Sequence, residues 1–219
     1  MTGTNLQLNK DGKPYPIRLS YSIVAAWLRG DWDNAIAPFL GQDTFSNEAM
    51  EEGKKYHSKW EKEALRTGKL PHVFGAGKLA NGFATEQKRE VWLNDWIQLS
   101  GILDLVEGTV GTDYKTGKKN ATGYANSDQH KFYKVLAPEL TRFQYRCMNQ
   151  HLRRGIPERV SFGLVHLTDR TLEEGIELIL TVAPEIHKYL IDNGVRPEAL
   201  MRTKTRVDRD DNEPEEGEA

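Results

Sequence analysis

Gly101-Ile102-Leu103-Asp104-Leu105-Val106, followed shortly by Asp113-Tyr114-Lys115-Thr116-Gly117-Lys118, is the stretch on which the fold of this chain turns. Trp96 to Val106 and Thr109 to Lys115 are apolar-rich runs with β-branched residues, separated by Glu107-Gly108, where the glycine can take the positive φ of a tight turn. With those two residues as the loop, Val106 pairs with Thr109 and Asp104 with Gly111. Side chains alternate faces along a strand, so Asp113 and Lys115 fall on the face of Asp104 while Tyr114 points the other way. The two aspartates become diagonal neighbours, with Cα atoms roughly 7–8 Å apart. A loop one residue longer would flip the parity and part them.

Two carboxylates converging with an ammonium suit phosphodiester hydrolysis. That reaction needs charge neutralised on the scissile phosphate and a nucleophile made from water, and Mg2+ or Mn2+ held by carboxylates can do both. An ammonium two residues past the second carboxylate can position or help deprotonate the water, or stabilise the phosphorane. Asp-x-Lys triplets also occur on solvated strand ends. Here, however, the carboxylates lie in runs too apolar for a solvated face, and a buried unpaired carboxylate is costly; metal binding is the stronger reading.

These residues resemble motifs II and III of the PD-(D/E)XK nuclease superfamily, in particular its RecB-type exonuclease branch. The resemblance implies an α/β (α+β) fold, a restriction-endonuclease-like mixed β-sheet core flanked by helices. It implies that a histidine on an upstream helix completes the metal site, and Gly53-Lys54-Lys55-Tyr56-His57-Ser58-Lys59-Trp60-Glu61 is similar to that pattern. His57, Asp104, Asp113 and the Tyr114 carbonyl would then hold the ion, with Lys115 acting on the water. The branch also carries a glutamine, often followed four residues later by a tyrosine, on the helix after the Asp-x-Lys strand. Gln144 is the first assignment, with Met148 where the tyrosine would stand; Gln129, followed by Tyr133, is the second. Leu19-Ser20-Tyr21-Ser22 is similar to the family's N-terminal Ser-x-Ser segment. Glu86 and Glu90 read first as solvent-facing strand charges, with contact to a second metal or a phosphate-bound water as the alternative.

The implied activity is a Mg2+- or Mn2+-dependent DNA nuclease, exonucleolytic, in repair, recombination or phage-type DNA processing. A non-catalytic nucleic-acid-binding module of a helicase-nuclease complex is the alternative, and a homo-oligomer or a recombination partner is compatible with either. A small-molecule phosphohydrolase fits less well, because Lys118, Lys119, Lys131, Lys134, Arg142, Arg146, Arg153 and Arg154 follow the hairpin and can contact phosphates. The chain has one cysteine, Cys147, which excludes an internal disulfide and a four-cysteine iron-sulfur cluster. Its net charge of -2 hides an asymmetry: residues 208–219 hold seven acids and one base, so residues 1–207 carry +4. The acidic tail is expected to be disordered and residues 1–207 to form one domain. No apolar run approaches the ~18–20 residues of a membrane span, and Met1 to Lys13 lacks a signal peptide's apolar region, so the expected compartment is cytoplasmic.

Hydrophobic periodicity predicts helices from Ile23 to Leu28, Glu48 to Leu65, Leu136 to Arg154 and Leu172 to Asn193, the last interrupted or restarted at Pro184. Strands are predicted at Glu86 to Leu93 and Val160 to Leu167 besides the hairpin. On the long helix Met50, His57, Trp60 and Ala64 lie near one face, which should look at the sheet and carry His57 to the metal; Ser46 or Asn47 is the candidate N-cap.

Overall fold

The computed structural model describes residues 6–42, 48–117, 119–149 and 159–201. A six-stranded mixed sheet is flanked by helices, the fold class expected from the sequence. Its strands are β1 (Ile17–Leu19), β2 (Ala84–Trp92), β3 (Ile97–Glu107), β4 (Val110–Thr116), β5 (Arg142–Asn149) and β6 (Arg159–His166). The helices are α1 (Tyr21–Leu28), α2 (Trp32–Ile36), α3 (Glu48–Thr67), α4 (Ala121–Ala125), α5 (Gln129–Leu136) and α6 (Asp169–Asp192). The tail at 208–219, the N-cap candidates Ser46 and Asn47, and Lys118, Arg153 and Arg154 lie outside the described residues. Among the described residues, no helix is long and apolar enough to cross a membrane.

β3 is the axis of the sheet. β2 runs antiparallel along one edge of it, from Ala84↔Val106 to Trp92↔Gln98. The other edge is divided: β1 pairs in parallel at Ile97 to Leu99, and β4 pairs antiparallel only at Leu105↔Thr112, Val106↔Gly111 and Glu107↔Val110. Between these contacts the edge of β3 carries no strand, and α5 closes the gap. The Tyr133 hydroxyl donates to the Ile102 carbonyl at 2.8 Å, satisfying a half-buried acceptor on the edge that neither β1 nor β4 covers. Gly101 makes the approach possible, because a Cβ there would stand 2.7 Å from Leu136 Cδ2 and 3.3 Å from Tyr133 Cε1.

The hairpin register differs from the expected one. The two loop residues are Gly108 and Thr109, not Glu107 and Gly108, because Gly108 takes the left-handed φ of 58° at the first loop position and Glu107 stays in the ladder. The shift moves the pairing by two residues, an even number, so it leaves every side chain on its expected face. The paired rows end at Leu105↔Thr112, and the strands separate just before Asp104 and Asp113.

The predicted helix from Leu136 to Arg154 is overturned: α5 ends at Leu136, and Arg142–Asn149 is β5. Phe143, Tyr145 and Cys147 are fully buried and alternate with the less buried Arg142, Gln144 and Arg146, a period of two rather than 3.6. The ladder to β4, running from Val110↔Arg142 to Thr116↔Met148, supplies the backbone bonds that a helix would have supplied. Pro184, expected to interrupt α6, sits inside a continuous helix. The carbonyl four residues before it, that of Leu180, loses its helical donor there. On α3, Trp60 and Ala64 are buried as expected and His57 is half-buried, but Met50 is 46% exposed; Gly53, not among the expected positions, is buried as well.

His187 on α6 is completely buried, with Nε2 3.1 Å from the Tyr15 carbonyl oxygen. Burial holds its pKa below the usual 6.5, and the bond to Tyr15 only partly opposes this. An unfolded chain therefore takes up a proton here that the folded chain refuses, and stability falls as pH drops from 6.5 toward the folded value. Denaturation midpoints measured at about pH 7.5 and about pH 5.5 should differ less in His187→Gln than in the parent; an unchanged difference contradicts this.

Candidate metal and catalytic site

The opening between β3 and β4 places the polar residues. Asp104, 8% exposed, lies at its apex, and its Oδ2 accepts the Tyr114 backbone N–H at 2.7 Å. That amide has left the β3–β4 ladder, so the side chain of one strand occupies the place of its backbone. The Tyr114 ring points away from the opening into a second apolar cluster, stacked on Phe74 with centroids 5.1 Å apart and packed against Trp60 at 5.3 Å.

α3 brings His57 to Asp104. Gly53, one turn before His57, faces the end of β4, where a Cβ would come within 2.7 Å of Thr116 Oγ1. The helix therefore lies close enough for His57 Nδ1 to stand 3.4 Å from Asp104 Oδ1, its ring walled by Trp60 and Tyr114. Glu86 joins them from β2. One ligand atom from each of His57, Glu86 and Asp104 lies within 4.8 Å of the others. Glu86 has φ 45°, a left-handed conformation that non-glycine residues rarely adopt, and it breaks the β2–β3 ladder between Thr85↔Leu105 and Gln87↔Leu103. Strain of this kind costs about 1–3 kcal/mol and persists where the surroundings enforce it. The solvent-facing reading of Glu86 is thus replaced by membership of the cluster; Glu90 is paired with Lys88 at 3.0 Å and Arg18 at 3.8 Å.

Asp113 and Lys115 sit on the α4–α5 side of the same opening. Lys115 Nζ is 2.7 Å from Asp113 Oδ2, and Gln129 Nε2 donates to Asp113 Oδ1 at 2.9 Å. Asp113 and Gln129 are 6% and 4% exposed. The two aspartates titrate in opposite directions. Burial pushes both upward; for Asp104 the positive charge and hydrogen bond of His57, with Lys115 and the Tyr114 N–H, hold it below the ordinary carboxylate range. For Asp113 burial and the charge of Asp104 outweigh Lys115 and hold it above. Burial would lower Lys115, but Asp113 at its side keeps it above its usual value.

Gln144 is not in this constellation. In the parallel β4–β5 ladder Asp113 pairs with Tyr145 and Gln144 with Thr112, which puts Gln144 on the face opposite Asp113 and Lys115. Its Oε1 accepts from Arg146 at 3.1 Å. Gln129 and Tyr133, one turn apart on α5, occupy the place expected for Gln144 and its partner; their four-residue spacing was the available sequence signal. Gln129→Ala should therefore lower any activity of this site about 10- to 100-fold, whereas Gln144→Ala should change it less than about twofold. Initial rates of the two variants decide between them, and the reverse order would restore Gln144.

Other expected contacts also move. Lys134, anticipated at phosphates, is 6% exposed and donates to the Pro138 and Leu140 carbonyls at 2.6 and 2.8 Å, closing the C-terminus of α5. Lys131 is paired with Asp128 at 3.0 Å and Glu174 at 3.3 Å. Ser20 and Ser22 bond to each other at the start of α1, 2.8 Å apart.

The sequence matches no protein-family model and no curated protein. Solved structures to which the chain is similar include the following three. One is an alkaline exonuclease from Laribacter hongkongensis: 12% identity, 80% of this chain and 92% of that one covered, TM-score 0.47. Another is a phage-related exonuclease from Haemophilus somnus: 14% identity, 87% and 91% covered, TM-score 0.46. The third is a protein called SSO0001: 12% identity, 82% and 78% covered, TM-score 0.48. Likeness this loose says nothing of what the present chain binds or cuts, so its chemistry rests on its own residues.

The donor set fits a hard divalent cation. Carboxylates and one imidazole gather within 4.8 Å, as ligands around one centre at about 2.0–2.2 Å must.

Proposed function

We propose that this chain is a divalent-metal-dependent DNA nuclease of the PD-(D/E)XK superfamily, of the RecB-type exonuclease branch, acting in repair, recombination or phage-type DNA processing. One observation carries the reading: Asp113 is held between Lys115 and Gln129, across the opening from the His57–Glu86–Asp104 cluster. Four spaced pairs support it by meeting there: Gly53 with His57, Gly101 with Asp104, Asp113 with Lys115, and Gln129 with Tyr133. A pure binding module has no need of a buried acid-lysine pair, which costs desolvation of both charges.

His57, Glu86, Asp104, Asp113 and the Tyr114 carbonyl are the groups that would hold Mg2+ or Mn2+. The chemistry the ion supplies is neutralisation of phosphate charge and acidification of water. Lys115 then directs its ammonium at the attacking water and the developing phosphorane charge. Gln129 fixes the orientation of Asp113, which in turn fixes Lys115.

The test incubates the protein with end-labelled linear DNA and with circular DNA, in Mg2+, in Mn2+ and in EDTA. Cleavage in either metal and none in EDTA is the expected result, with linear DNA consumed first for an exonuclease. DNA binding without cleavage of any substrate in either metal would overturn the enzyme in favour of the binding module.

A further inference from the structure

The far edge of the sheet carries a surface that the catalytic reading does not use. β6 is an edge strand, and three cross-strand rows on the side of β5 and β6 away from the main core read Arg142–His166, Gln144–Leu164 and Arg146–Phe162. Phe162 is 60% and Leu164 49% exposed, and a depression of about 250 Å³ lies around them and Arg146. The Arg146 guanidinium lies over the Phe162 ring, 5.4 Å from its centroid. None of these six positions holds a carboxylate. An exposed ring backed by a guanidinium, beside an amide and a second arginine, is the chemistry of a stacking platform for unpaired bases with cations for their phosphates.

We propose that this face of β5 and β6 binds single-stranded nucleic acid, with Phe162 stacking a base, Arg146 supporting the ring and Arg142 meeting a phosphate. Duplex bases are already stacked on one another and offer no free face to a ring. A second copy of the chain would set these arginines against one another in a two-fold contact. The surface lies on the face of the sheet opposite Asp113 and Lys115: Tyr114, between them, points away from the opening and pairs with Arg146, which pairs with Phe162. Two strand spacings, about 10 Å, separate the ends of that row. The inference rests on the nuclease reading only in making the bound strand a substrate; the binding stands by itself.

The test measures fluorescence anisotropy of a labelled oligothymidylate in EDTA, so that no cleavage is needed for a signal. Phe162→Ala should weaken binding at least about fivefold and Phe162→Tyr should keep it, in line with stacking of about 1–3 kcal/mol per base. Arg142→Gln should reduce the slope of log affinity against log salt by about 1. Unchanged affinity in Phe162→Ala, or an equal loss for a duplex of the same length, overturns the proposal. Self-association of the parent that Phe162→Ala abolishes, seen by sedimentation, overturns it in favour of a second copy. Binding that depends on Phe162 in a chain that cuts nothing supports this surface and overturns the nuclease reading.

Discussion

Lys115→Ala is expected to lower the rate of DNA cleavage by about 10²–10⁴-fold, the range for removing one positioned proton-handling or charge-stabilising group. The ammonium is 2.7 Å from Asp113 and two residues along the same strand, so truncation removes both the group proposed to act on the water and the partner of a buried carboxylate. An uncompensated buried charge can unfold a site, and this must be separated from lost chemistry. The double variant Asp113→Asn/Lys115→Ala removes both charges and should melt near the parent while remaining inactive. Lys115→Arg should not recover the parent rate, since a planar guanidinium cannot place a point charge where the ammonium stands. A folded Lys115→Ala protein that keeps more than about a tenth of the parent rate would remove Lys115 from the mechanism.

Gly175→Val is expected to destabilise the fold by forcing α5 and α6 apart. A Cβ at this position on α6 would stand 2.6 Å from the Lys131 carbonyl oxygen and 2.8 Å from Val135 Cγ2. The first of these atoms is backbone, so no side-chain rotation relieves the clash, and α5 and α6 must part. In a free helix replacing glycine by valine would gain about 0.5 kcal/mol or less; here overpacking of about 1–3 kcal/mol outweighs it and should lower the melting temperature by several degrees. α5 also carries Gln129 to Asp113 and Tyr133 to Ile102, so activity should fall together with stability. If Gly175→Ala melted at or above the parent temperature, the close contact would not be the constraint described.

The hairpin shows which part of this molecule is local. Alternation put Asp113 and Lys115 on one face, and a two-residue error in register left that parity intact, because a shift by an even number never exchanges faces. His57 was legible through the resemblance of residues 53–61 to the family's helical motif, with periodicity adding only that Met50, His57, Trp60 and Ala64 lie near one face. Gln129 and Gln144 were harder to separate. Both follow Lys115 in the chain, and what decides is whether Arg142–Asn149 is helix or strand, which depends on the edge that β4 offers. Glu86 was legible only as the weaker of two alternatives, because its side chain reaches the cluster through a left-handed backbone that nothing in its neighbours announces.

The sequence by itself determined the strand pair, the acid-lysine triplet and the histidine helix, because each depends on periodicities within about ten residues. Only the tertiary structure decided that β4 leaves β3 before Asp104, that α5 fills the gap with Tyr133, and that Gln129 rather than Gln144 holds Asp113. Those are outcomes of which backbone groups find partners across the sheet, a competition between segments distant in the chain that no local pattern records.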